Sequence, residues 1–104
     1  MTMYLVQLLL PLADNDGQRF PAGHYDSVRD ELTRRFGGLT AYSRAPAEGL
    51  WGPDADRATQ DDVVVYEVMA DTLDRAWWRS FRETLERRFA QDMLVVRAHE
   101  VERL

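Results

Sequence analysis

Phe36-Gly37-Gly38-Leu39-Thr40-Ala41-Tyr42-Ser43-Arg44-Ala45-Pro46-Ala47-Glu48-Gly49-Leu50-Trp51 is the stretch on which the fold turns. Its first residues close a helix. A glycine just past the last helical turn adopts the left-handed cap without a Cβ penalty. A phosphate-cradling turn is the sharper reading of Gly37-Gly38, but such turns open a helix rather than close one. Leu39–Arg44 then alternates as a strand. Residues 45–61 hold two prolines, two glycines and several acids, a long connection where the median is roughly 4–6 residues. Trp51 makes it a lid or packed flap, since an indole left in water wastes a large apolar area.

Upstream, Tyr4–Leu10 is an apolar run ended by Pro11, with Gln7 its one polar member. It reads as a buried strand. Asp14-Asn15-Asp16-Gly17 makes a turn, because Asp and Asn bond to nearby backbone and Gly accepts positive φ. It is not a calcium loop: the first ligand position falls on Leu12 and the closing Glu on Gly23. Asp54 to Asp62 fails the same template, at Thr59 and Val65. From about Gly23, Tyr25, Val28, Leu32 and Phe36 recur at helical spacing and run into the glycine stop.

Downstream, Val63–Met69 is the clearest strand, rich in β-branched and aromatic residues. Asp71 or Thr72 is expected to cap a second helix, with Asp74 favouring its positive end. Leu73, Trp77, Phe81 and Leu85 form its apolar stripe, flanked by Trp78 and Phe89. Neighbouring helical residues point about 100° apart, so only one of Trp77 and Trp78 belongs in the core. Arg75, Arg79, Arg82, Glu83, Glu86 and Arg87 read as a solvent-facing side, with Glu83 and Arg87 placed for an i,i+4 pair. Met93–Val101 is the last strand, and the final residues are expected to fray.

The order strand, helix, strand, strand, helix, strand is that of two split βαβ units. It predicts a single α+β domain over 1–104: a ferredoxin-like βαββαβ sandwich, sheet order 4-1-3-2, with both helices on one face. Alternation splits each strand into two sets. Tyr4, Val6, Leu8, Leu10, Leu39, Ala41, Val64, Tyr66, Val68, Leu94, Val96 and Ala98 belong under the helices. The opposite face then carries Leu5, Leu9, Val63, Val65, Met69, Met93 and Val95. Among them stand Gln7, Tyr42, Arg44, Glu67, Arg97 and His99. That face is too apolar for water and too charged for a plain core.

Composition removes several chemistries. The chain has no cysteine, hence no thiolate nucleophile, disulfide or thiolate metal site. It has no lysine, so no Schiff base forms. All thirteen basic residues are arginine, a usage that suggests a GC-rich genome. A net charge of −5 argues against a nucleic-acid partner, which needs a basic surface, and suits a soluble cytoplasmic protein. Tyr4–Leu12 lacks a basic flank, is broken by Gln7 and Pro11, and is too short for a membrane. His24 and His99 lie far apart and suggest no metal site. No Gly-x-Ser-x-Gly turn surrounds Ser27, Ser43 or Ser80.

The element pattern of the whole chain resembles the dimeric α/β-barrel group of ferredoxin-like proteins. That group contains small cofactor-free monooxygenases, muconolactone-isomerase-like enzymes, stress-responsive barrel proteins and many uncharacterised bacterial families. Gly37–Arg44 with Gly49-Leu50-Trp51 is similar to segments of bacterial domains of unknown function. The resemblance implies a homodimer and transfers no catalytic residue.

Two expectations follow. In the first, the chain is a non-catalytic binding or interaction module whose open face is buried in a homodimer, Glu67 being paired there with Arg44, Arg97, Gln7 or a cross-dimer arginine. In the second, it is a cofactor-independent isomerase or oxygenase acting on a small aromatic or carbonyl compound. Glu67 or His99 would then move a proton. Arg44 and Arg97, with Tyr42, Gln7 and Trp51, would hold the ligand in a pocket between the sheet and its partner.

Overall fold

The four apolar runs form one antiparallel sheet in the computed structural model, which describes residues 1–44 and 63–104. The elements are β1 (Thr2–Pro11), α1 (Ala22–Phe36), β2 (Thr40–Arg44), β3 (Val63–Ala70), α2 (Arg75–Arg88) and β4 (Val95–Glu102). The strand order is β2-β3-β1-β4, the expected 4-1-3-2 read from the other edge. This is the ferredoxin-like βαββαβ arrangement. β1 pairs with β3 and β4, and β3 with β2. Trp51 and the rest of the expected flap lie outside the described residues. Among the described residues, no helix is long and apolar enough to cross a membrane.

The apolar set does face the helices. Val6, Leu8, Leu10, Tyr66, Val68 and Leu94 are buried in one cluster with Val28 and Leu32 of α1 and Trp78, Phe81 and Leu85 of α2. Leu39, Val64 and Val96 pack at its margin, while Ala41 and Ala98 are exposed. The helix layer therefore covers the central strands and leaves the edges partly bare.

Local chemistry sets the element ends. Gly37 takes φ 85° and donates its N–H to Thr33 O at 2.8 Å, the left-handed cap that closes α1. Gly17 has φ 83°. Asp14 Oδ1 accepts the N–H groups of Asp16 and Gln18 at 2.8 and 2.9 Å, so that carboxylate builds the turn. The cap of α2 differs from expectation. Asp74, not Asp71 or Thr72, is the N-cap, and its carboxylate accepts the Trp77 N–H at 3.1 Å.

That start places Leu73 before the helix and out of helical phase. The fully buried line on α2 is Trp78, Phe81 and Leu85, with the expected Leu73 and Trp77 only partly buried against the same cluster. Trp78 is the core member of the tryptophan pair. Trp77 packs edge-on against it, with centroids 4.7 Å apart, and Arg35 lies over the Trp77 ring at 4.1 Å. The i,i+4 ion pair on α2 is Arg82–Glu86 at 3.6 Å. Arg87 donates instead to Thr84 Oγ1 at 3.4 Å. The C-terminus is held further than expected, since the Arg103 N–H donates to Met1 O at 2.9 Å.

Tyr25 ties α1 to β1. Its hydroxyl donates to Pro11 O at 2.5 Å. Burial, reinforced by Tyr66 and opposed by Arg19, pushes its pKa up to about 12. The folded value lies above the unfolded one, so the stabilisation is complete below about pH 10 and is lost as pH rises through about 12. Melting temperatures of the wild type are expected to fall across that window. In Tyr25→Phe, which cannot ionise, that part of the fall is expected to disappear. Parallel melts from pH 9 upward check it, and identical slopes would contradict it.

Candidate functional site

The open face carries a row of polar side chains across three adjacent strands. Register sets Glu67 of β3 opposite Gln7 of β1, and Gln7 opposite Arg97 of β4. Strands lie about 4.8 Å apart, so residues in one row touch. Arg97 Nε donates to Gln7 Oε1 at 2.8 Å, and Gln7 Nε2 donates to Glu67 Oε2 at 2.5 Å. Tyr42, opposite Val65 on β2, reaches diagonally and donates its hydroxyl to the same Glu67 oxygen at 3.2 Å. Gln7 can bridge because a primary amide carries both an acceptor and donors. Its orientation is dictated: the carbonyl oxygen must face the guanidinium and the NH₂ group the carboxylate.

The row links Arg97 to Glu67 through the Gln7 amide. A half-buried carboxylate beside valines costs several kcal/mol unless partnered, and Gln7 and Tyr42 supply the partners. Both donate to Oε2. Among the described residues, Oε1 has no hydrogen-bond partner.

Around the row the face is apolar. Leu5 and Leu9 flank Gln7 and are half-buried, and Val65 is buried. Tyr42, Met69 and Val95 are 43%, 39% and 46% exposed. Beside Glu67 an open cleft of about 340 Å³ runs to the end of α1, lined by Leu5, Gly38, Thr40, Glu67 and Met69.

Of the residues expected to act together, Gln7, Tyr42, Glu67 and Arg97 are joined. His99 is not part of that group. It stands opposite Leu5 on β4, exposed, one row along and with β1 between it and Glu67. Arg44 stands opposite Val63, whereas Thr40 is the residue opposite Glu67. The Arg44 side chain and Trp51 lie outside the described residues. Among the described residues, no three His, Asp or Glu side chains group as a metal site. His24 instead stacks on Phe20 at 5.7 Å and meets Phe89 edge-on at 5.5 Å.

The arginines of α2 were expected to face solvent only. Arg75, Arg79 and Arg82 in fact border a groove against β4. Their i, i+4, i+7 spacing placed them on one helix face, but nothing in the chain order said what that face overlooks. No family model, curated protein or solved structure matches this chain.

Proposed function

We propose that this chain is a homodimeric binding module of the dimeric α/β-barrel kind, with the open sheet faces of two copies packed about a two-fold axis. The supporting observation is the character of that face. It is predominantly apolar, it leaves Tyr42, Met69 and Val95 partly exposed, and its polar row is already internally hydrogen-bonded. A contiguous apolar surface on a small domain marks an interface, and self-complementary packing about a two-fold axis closes it with a single copy type. A polar row whose members hydrogen-bond one another fixes the register of the two sheets in such an interface. Sedimentation equilibrium at micromolar concentration is expected to give twice the chain mass of 12.1 kDa. A monomer throughout would overturn the reading.

One observation favours a second reading, a cofactor-independent enzyme acting on a small aromatic or carbonyl compound. Glu67 Oε1, which has no hydrogen-bond partner among the described residues, belongs to a residue lining the 340 Å³ cleft, where it would serve as a general base held by Gln7 and Tyr42. Glu67→Gln keeps the shape of the side chain and removes its basicity. Turnover of an enolisable aryl ketone, followed as solvent deuterium incorporation by NMR, is expected to fall about 100-fold or more in that variant. Equal exchange in both proteins, or none in the wild type, would dismiss this reading.

A further inference from the structure

The groove between α2 and β4 lies on the helix side of the sheet, away from the proposed dimer face. Its volume is about 370 Å³, within the range of roughly 300–1,000 Å³ typical of small-molecule sites. Its accessible apolar surface comes from the exposed Ala98 and the half-buried Val96 on β4 and Leu73 beside α2, over the buried Val6 and Trp78. The groove exists because α2 does not fully cover the edge strand. Ala98 belongs to the helix-facing set of β4 yet is exposed.

Above that floor stand three guanidinium groups, Arg75, Arg79 and Arg82. Cations one helical turn apart project from one face about 5–6 Å from each other. Among the described residues, Arg75 and Arg79 have neither an ion-pair nor a hydrogen-bond partner. Arg82 is only partly neutralised. Its Nε is sealed from solvent without a hydrogen bond, and Glu86 Oε2 stays 3.6 Å away while accepting the Leu94 N–H at 3.0 Å. Arg97 also borders the groove through its place on β4, but its guanidinium is engaged with Gln7 on the other face of the sheet. A chain of net charge −5 thus gathers over one apolar cleft two arginines with no partner among the described residues and a third only partly paired.

We propose that this groove binds a small organic oxyanion, a carboxylate or phosphate monoester carried on an aromatic or branched aliphatic body. The guanidinium fork matches both headgroups and makes charge-assisted, bidentate hydrogen bonds to them. The body lies against Ala98, Val96 and Leu73, where burying it removes apolar area from water. A free inorganic anion would leave that floor bare, and a neutral hydrocarbon would leave the arginines unpaired, so the site selects a molecule with both parts. The inference is independent of the dimer, because the groove and the open face are on opposite sides of the sheet.

The test is a titration of the ¹⁵N-labelled full chain with 2-naphthoate, phenyl phosphate and neutral 2-naphthalenemethanol, read from amide and indole shifts. Both anions are expected to shift the Val96 and Ala98 amides and the Trp78 indole saturably, and their relative affinities identify the preferred headgroup. Arg75→Gln and Arg79→Gln replace exposed residues and are expected to weaken each anion about 10-fold or more apiece. Weak binding of the neutral alcohol is expected to be the same in the wild type and the two arginine variants. Ala98→Phe, which fills the groove while leaving all arginines in place, is expected to abolish binding. Absence of saturation at about 10 mM, which corresponds to a negligible affinity, would overturn the proposal. So would shifts confined to the open face, or undiminished affinity in the arginine variants.

Discussion

Phe89→Ala is expected to cost about 3–5 kcal/mol, the range for truncating a fully buried phenylalanine. Phe89 is wholly buried, ends α2, and donates its N–H to Leu85 O at 2.9 Å. Its ring is the meeting point of elements distant in sequence. Phe20 packs edge-on against it at 5.2 Å, His24 at 5.5 Å and Tyr25 at 5.3 Å. The substitution therefore removes the joint between the end of α2, the start of α1 and the connection leading out of β1. Domains of this size have total stabilities of about 5–15 kcal/mol, so the loss consumes a large share. Urea denaturation is expected to show a lower midpoint with little change in slope. Phe89→Leu keeps most of the volume and is expected to cost less than half as much. An alanine variant as stable as the wild type would mean that this aromatic joint does not hold the two halves together.

Met69→Asp with Val95→Asp is expected to raise the dissociation constant of the proposed dimer at least about 100-fold while leaving the folded monomer intact. Both side chains are substantially exposed on the open face, at 39% and 46%, so neither change opens a cavity in the core. A two-fold axis presents each new carboxylate twice, and like charges brought together in an interface cost several kcal/mol. A cost of about 3 kcal/mol is a factor of roughly 100 in affinity. Sedimentation velocity across a dilution series measures the shift, and a thermal melt in dilute solution checks the monomer. If the double variant stays dimeric, the copies meet elsewhere. The groove against α2 would then need to be tested for occlusion, whereas the Phe89 result would stand unchanged.

Much of the architecture was legible because local rules and the long-range fold agree. Phe36-Gly37-Gly38 stops a helix wherever it occurs, since only glycine reaches φ near 85° without strain. Val63–Met69 has one face for helices and one for something else by alternation alone. The expectation failed at the start of α2. Asp71, Thr72 and Asp74 are all good caps by composition. The choice of Asp74 leaves Leu73 outside the helix and depends on how the chain leaves β3, while the packing of α2 on the sheet decides that Trp78 rather than Trp77 is fully buried.

The site was legible as a residue set and not as a geometry. Alternation put Gln7, Tyr42, Glu67, Arg97 and His99 on one face. Register alone joined the first four and left His99 a row away. A one-residue slip of β4 against β1 would exchange the faces entirely, and nothing local in Val95–Glu102 opposes such a slip. Only the burial of Val96 and Leu94 under the helices does so.

The order of elements, the split of each strand into two faces, the glycine stop after α1 and the exclusion of thiol, lysine and Schiff-base chemistry were determined by the residues themselves, because each rests on the covalent character or local conformational freedom of one or two side chains. The hydrogen-bonded chain from Arg97 through Gln7 to Glu67, the isolation of His99 and the arginine-rimmed groove over Ala98 were decided by tertiary structure. They depend on strand register and on how far α2 reaches across the sheet, and those are settled by packing among residues up to 90 positions apart.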